Sequence, residues 1–196
     1  MSKSANSIQQ LRSTPFTSST NWSRPPTPPL SARTDQVRPR SVEGVTDHPF
    51  VPSDFVVPTE LITPRFRLEP LGPQHNAADH AAWTSSIEHI RTTPGFLDGN
   101  WPPVDGMSLA ANLADLQRHA THFVERRGFT YTVLEIVSED VIGCIYIYPS
   151  HSGDNDAEVR SWVRAESTEL DAPLYLAVTN WLSTSWPFKT IDYQPR

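Results

Sequence analysis

The sequence predicts an α+β domain. Three observations carry that prediction. Residues 129–136 (FTYTVLEI) and 141–149 (VIGCIYIYP) are β-branched and aromatic runs joined by Val137-Ser138-Glu139-Asp140, the pattern of a hairpin. Leu109, Leu113, Leu116, Ala120 and Phe123 recur at alternating four- and three-residue steps, which places them on one helical stripe. Residues 158–182 pass from a strand pattern through a loop into a second helical pattern.

Taken in order, residues 64–71 (PRFRLEPL) alternate apolar Phe66 and Leu68 with Arg65, Arg67 and Glu69, as in a half-buried first strand. Gly72-Pro73 ends it. Residues 76–90 read as one helix with Trp83, Ile87 and Ile90 on a common face, broken by Pro94-Gly95. The helix of the Leu109 stripe has Ser108 as its expected N-cap and Gly128 as its expected stop. The hairpin follows, then the polar loop 150–156 (SHSGDND). Residues 158–164 form a further strand with Val159, Ser161 and Val163 on one face. Asp171 is expected to cap the last helix, with Pro173 tolerated in its first turn and Leu174, Val178 and Trp181 as its stripe. Trp186-Pro187 ends that helix, and residues 190–193 read as a closing strand. The predicted order is β, α, α, β, β, β, α, β.

Residues 1–47 are rich in Ser, Thr and Pro, with RPPTPP at 24–29, and are expected to be a disordered basic tail or polyproline linker. Residues 48–196 form the expected domain. The 196-residue chain has a net charge of −6, and Lys3, Arg12, Arg24, Arg33, Arg38 and Arg40 lie in the tail, so the body is more acidic than the whole. That balance argues against a nucleic-acid partner and for a cationic one. No apolar run approaches the length of a membrane span. The single cysteine, Cys144, excludes an intrachain disulfide or a multi-thiolate metal site. A cytoplasmic location is expected.

A strand feeding a helix N-terminus is where many folds hold a phosphate-bearing ligand, because free N–H groups and the helix dipole point there. The loop between residues 158–164 and the last helix has no glycine and carries Glu166, Glu169 and Asp171 instead.

The element order resembles the GCN5-related N-acetyltransferase (GNAT) superfamily. Residues 59–71 (TELITPRFRLEPL) are similar to the opening strand of its ribosomal-protein N-acetyltransferase type, and VIGCIYIYP is similar to its central strand with an Ile-Gly pair. The resemblance spans roughly residue 55 onward. It implies a mixed, mostly antiparallel sheet flanked by helices, C-terminally short and preceded by the tail. It implies transfer of an acetyl group from acetyl-CoA to a small-molecule or peptide amine, with no metal, and a homodimer as one expected assembly.

The same resemblance assigns coenzyme binding to Ser161, Trp162, Val163 and Arg164, whose strand would orient the pantetheine arm and acetyl carbonyl. The family's loop pattern, Gln/Arg-x-x-Gly-x-Gly/Ala, falls on Thr168, Asp171 and Pro173, and all three depart from it. Asp171 brings a Cβ and a charge where pyrophosphate would lie, and Pro173 removes a donor. The family usually continues with a further helix and strands, one of which carries an acid for the leaving thiolate. The sequence therefore supports an alternative, a GNAT-fold scaffold that does not use coenzyme A, and a third reading in which a Trp-rich cleft (Trp83, Trp101, Trp162, Trp181, Trp186) holds an apolar ligand.

An amine acceptor requires a base. Glu158 is the first candidate, with Glu135 and His151 behind it. Tyr193 is the candidate acid, with Tyr146 and Tyr148 as substitutes. Asp115, His119 and His122 share a helix face at metal-ligand spacing but lack a fourth ligand, so a solvated face is the expectation. Cys144 reads as a packed core residue.

Overall fold

The computed structural model describes residues 49–196, and the expected tail with its RPPTPP segment lies outside the described residues. Six strands form one sheet in the order of the chain, β1 (Leu61–Ile62), β2 (Phe66–Pro70), β3 (Phe129–Glu135), β4 (Val141–Pro149), β5 (Ala157–Val163) and β6 (Ile191–Tyr193). Every neighbouring pair is antiparallel except β5 and β6, which run parallel. The helices are α1 (Asn76–Thr84), α2 (Ile87–Thr92), α3 (Leu109–Val124) and α4 (Asp171–Ser185).

Strand alternation divides the core into two layers. Phe129, Tyr131, Val133, Ile145, Ile147, Val159 and Val163 pack toward Leu174, Val178 and Trp181 of α4. On the opposite face, Cys144 and Trp162 pack with Ala82 and Trp83 of α1, Ile90 of α2 and Leu116 of α3.

Several boundaries differ from the sequence reading. β1 was not anticipated. Two residues carry no periodic signal, and Thr63 makes the turn by donating its hydroxyl to the Phe66 carbonyl (2.8 Å) while accepting the Phe66 N–H (3.0 Å). The expected helix over residues 76–90 is two helices. Ser86 sits at φ −131°, its N–H bonds the Trp83 carbonyl, and the Ser85 hydroxyl bonds the Ala82 carbonyl. Serine side chains compete in this way with the helical ladder.

In α3 the Ser108 hydroxyl caps the Ala111 N–H at 3.1 Å, as the sequence suggests. The helix stops at Glu125, before Gly128, with Arg126 at φ 60° providing the left-handed residue. Its guanidinium donates to the carbonyls of Pro52 and Phe55. Leu109 is exposed, and the buried face holds Asn112, which accepts from Trp83 Nε1 (2.9 Å) and donates to Asp79 Oδ2 (3.0 Å).

Asp171 does not cap α4. A 3-10 helix, Ala165–Leu170, leads directly into it, and Leu170 holds the cap position without a side-chain bond. The Asp171 carboxylate is engaged elsewhere, with Arg196.

Candidate functional site

β5 and β6 pair only from Ala157/Ile191 to Val159/Tyr193. Beyond that point β5 continues through Ser161 to Val163, still paired on its other edge with β4 (Ile145↔Ser161, Gly143↔Val163). The edge turned toward β6 thus loses its strand partner at Ser161. Gly143 makes the β4–β5 approach possible, since a Cβ there would lie 2.3 Å from the Trp162 carbonyl oxygen.

The gap is filled by a side chain. Arg196 Nη2 donates to the Ser161 carbonyl (2.7 Å) and to its hydroxyl oxygen (3.1 Å), Nε donates to Asp171 Oδ1 (2.9 Å), and Nη1 donates to the Gln194 carbonyl (2.9 Å). The Arg196 side chain is only 3% exposed. Tyr193 closes the same gap, its hydroxyl 2.6 Å from Ser161 Oγ. Burial, partly offset by that hydrogen bond, pushes the Tyr193 phenol up to about 12. It therefore remains a proton donor at neutral pH.

The acidic loop is also compensated. Glu166 pairs with Arg164 (3.2 Å), Glu169 with Arg65 (3.2 Å) and Asp171 with Arg196 (2.9 Å). The first two pairs lie at the surface and are screened, so they do little for stability. The third is enclosed. Thr168 is exposed, and its carbonyl accepts the Asp171 N–H. Arg164 extends β5 by donating its N–H to the Ile142 carbonyl at 2.8 Å.

On the opposite face of β5 lies a cavity of about 370 Å³ lined by Phe96, Asp98, Trp101, Asp115, Arg118, His119, Tyr146, Tyr148, His151, Glu158 and Arg160. Glu158 accepts from Arg160 Nε (2.7 Å) and sits 3.1 Å from His151 Nδ1. Burial alone would raise its carboxyl, but the Arg160 and His151 hydrogen bonds outweigh burial and hold it below the usual range. Arg160 also reaches Asp98 at 3.2 Å. A smaller cleft of about 260 Å³ shares Asp98, Glu158 and Arg160 and adds Asp192 and Gln194.

His119 Nδ1 lies 2.8 Å from the Tyr148 hydroxyl and 3.0 Å from Thr130 Oγ1. Burial, reinforced by the nearby Arg118 charge, depresses its imidazole to about 4, so the ring is neutral at neutral pH. His122 also turns to the Tyr148 hydroxyl (3.1 Å), and Asp115 pairs with Arg118. Among the described residues no group of three His, Cys, Asp or Glu side chains is placed to hold a metal ion.

The structure brings Ser161, Asp171 and Tyr193 together around Arg196 and places Glu158 on the other face of the sheet. Trp162 is buried, its indole N–H donating to the Tyr146 hydroxyl (3.3 Å). Glu135 lies at the hairpin, bonded to the Ser138 hydroxyl. Of the five tryptophans proposed for a cleft, only Trp101 lines the cavity beside Glu158, while Trp83 and Trp162 are core and Trp181 and Trp186 pack on the α4 side. Sequence reasoning missed Arg196, Asp98 and the His119–Tyr148 pair. Tyr148 and His119 were named singly, but nothing in the sequence showed that they meet.

No protein-family model matches the chain, and neither does any curated protein. Solved structures do. One is a Bordetella pertussis protein assigned to the GNAT-family acetyltransferases, at 18% identity over 65% of this chain and 74% of that one, TM-score 0.45. Another is the ribosomal-protein-S5-alanine acetyltransferase of Vibrio fischeri, at 9% identity over 64% and 67%, TM-score 0.48. A third is the microcin C7 self-immunity acetyltransferase MccE in complex with acetyl-CoA and AMP, at 9% identity over 66% and 71%, TM-score 0.50. At such identities the likeness speaks to fold alone. The likeness to the third, taken with the strand order and the parallel β5–β6 pair, shows that the described residues adopt the GNAT fold.

Proposed function

We propose that residues 48–196 form an N-acetyltransferase domain that moves an acetyl group from acetyl-CoA to a small-molecule or peptide amine. The observation that carries this reading is the parting of β5 and β6 after Val159 and Tyr193, which leaves the Ser161 carbonyl without a strand partner. An amide-bearing pantetheine arm is matched to such an edge. The pyrophosphate is served less well, since Pro173 offers no N–H and no glycine clears the loop.

In this reading the backbone of Ser161, Trp162 and Val163 orients the thioester. The acceptor amine enters through the Glu158 cavity, whose carboxylates Asp98, Asp115 and Glu158 exceed its cations Arg118 and Arg160 while His119 is neutral. Glu158 takes the amine proton through water. The amine nitrogen bonds to the acetyl carbon, the carbon–sulfur bond breaks, and Tyr193 gives its proton to the leaving thiolate. Glu158 faces the cavity side of β5 and Tyr193 the α4 side, so the thioester must lie at the strand edge where both reach it. The body is expected to work in the cytoplasm without a nucleic-acid partner.

Calorimetric titration with acetyl-CoA tests this. Saturable binding is expected, and absence of heat at millimolar coenzyme would sink it. A second reading, a GNAT-fold scaffold without coenzyme chemistry, is favoured by Arg196 lying in the gap. Detectable acetyl transfer by the unaltered chain excludes that alternative.

A further inference from the structure

The Ser161 carbonyl that the proposed function gives to coenzyme already has a donor. Arg196 Nη2 sits 2.7 Å from it, a hydrogen-bonding distance that an incoming amide N–H would also take. The same guanidinium is fixed at 2.9 Å to Asp171 and at 2.9 Å to the Gln194 carbonyl. Its centre also lies 5.8 Å from the Tyr193 ring. A guanidinium 3% exposed is desolvated, and it is stable there because four of its five N–H donors find acceptors, one of them a carboxylate. One of the groups that satisfy Arg196, the Ser161 carbonyl, is thus the group that would receive the coenzyme.

We propose that Arg196 is a latch over the coenzyme edge of β5, held shut by Asp171, and that acyl-CoA binds only when this side chain swings away. The proposal rests on the acetyl-CoA reading of the gap. It accounts for Asp171 standing where that reading has no use for a carboxylate, since its charge holds the latch. Once released, Arg196 is a cation at the start of α4, beside the place of the diphosphate, so unlatching removes a competitor from Ser161 and frees a partner for phosphate.

The test is calorimetric titration of acetyl-CoA into the full chain, the Asp171→Asn variant and the Asp171→Asn/Arg196→Gln double variant. Asparagine keeps the size and an acceptor oxygen while removing the charge that holds the guanidinium. The Asp171→Asn variant should bind about tenfold tighter than the unaltered chain, and the double variant, which lacks the freed cation, should bind tighter than the unaltered chain but less tightly than Asp171→Asn. Equal, measurable affinity in all three overturns the latch and leaves the coenzyme reading standing. Absence of binding in all three overturns both. Weaker binding by the variants overturns the latch by making the pair part of the coenzyme's own contact surface. Should the variants fail to fold, the unaltered chain still decides. Its Arg196 Nε–H, enclosed by Asp171, should give a slowly exchanging nitrogen-15 NMR signal that shifts or loses protection at saturating acetyl-CoA. An unchanged signal with coenzyme bound overturns the proposal.

Discussion

Gly143 shows how one missing carbon sets the geometry of the site. An added Cβ would meet the Trp162 carbonyl oxygen at 2.3 Å and the Val163 Cα at 3.3 Å, both backbone atoms that cannot turn aside. Gly143→Ala is expected to cost about 1–3 kcal/mol, the usual range for forcing extra volume into a packed core, read as a lower denaturation midpoint. Glu158→Gln should lower kcat about a hundredfold with KM little changed, the signature of a lost proton acceptor. His119 makes a pH prediction. Its folded value of about 4 lies below the ordinary 6.5, so the unfolded chain binds more protons between these values. Stability contributed by the neutral ring is therefore present above pH 6.5 and lost as the pH falls toward 4, on the order of 2–3 kcal/mol. Asp79, raised by burial, acts in the opposite sense, because its protonated form is favoured in the folded chain. His119→Gln should flatten the acid-side loss in a denaturation series across that window. An unchanged slope would show that other groups set it. These residues were legible to unequal degrees. The Ile-Gly pair and Glu158 follow from strand pattern, whereas Arg196 and the His119–Tyr148 contact arise from long-range packing and leave no periodic trace.

At the scale of elements, alternation and helical stripes found every strand except the two-residue β1, and every long helix. They failed where side-chain hydrogen bonds decide. Ser85 and Ser86 differ little from alanine in pattern, yet they end α1 and begin α2. The Ser86 hydroxyl also accepts the Ala165 N–H at 3.0 Å, which ties the helix break to the loop after β5. Ser86→Ala should leave that partly buried N–H unpaired and cost about 1–2 kcal/mol, with faster amide exchange at Ala165 than elsewhere in the loop. An unaltered exchange rate would mean that the contact does not hold the loop. Likewise, Asp171 reads as a cap in any sequence scan, because Asp before an apolar helical run usually is one. Its true partner lies 25 positions away in Arg196, beyond any local rule.

Across the whole molecule, the sheet divides the chain into an α4 side and an α1–α3 side, and β5 serves both. Element order was enough to read the α+β architecture and the place of the strand–loop–helix segment. It did not reveal that the acidic loop brings its own arginines, because Arg65, Arg164 and Arg196 come from three separate parts of the chain. The repulsion inferred from Glu166, Glu169 and Asp171 alone is therefore weaker than their number suggests, and what stands in the gap is a cation. Since residues 1–47 are rich in Ser, Thr and Pro and poor in aliphatic side chains, residues 48–196 produced alone should melt cooperatively within a few degrees of the full chain. A broad or strongly lowered transition would show that residues 1–47 contribute to the fold. The central claim, that the unpaired edge of β5 is the coenzyme site, is tested most directly by hydrogen–deuterium exchange with and without saturating acetyl-CoA. Changed exchange is expected only in peptides covering residues 161–171 and 193–196. Unchanged exchange there, or protection appearing only at another place in the chain, would contradict it.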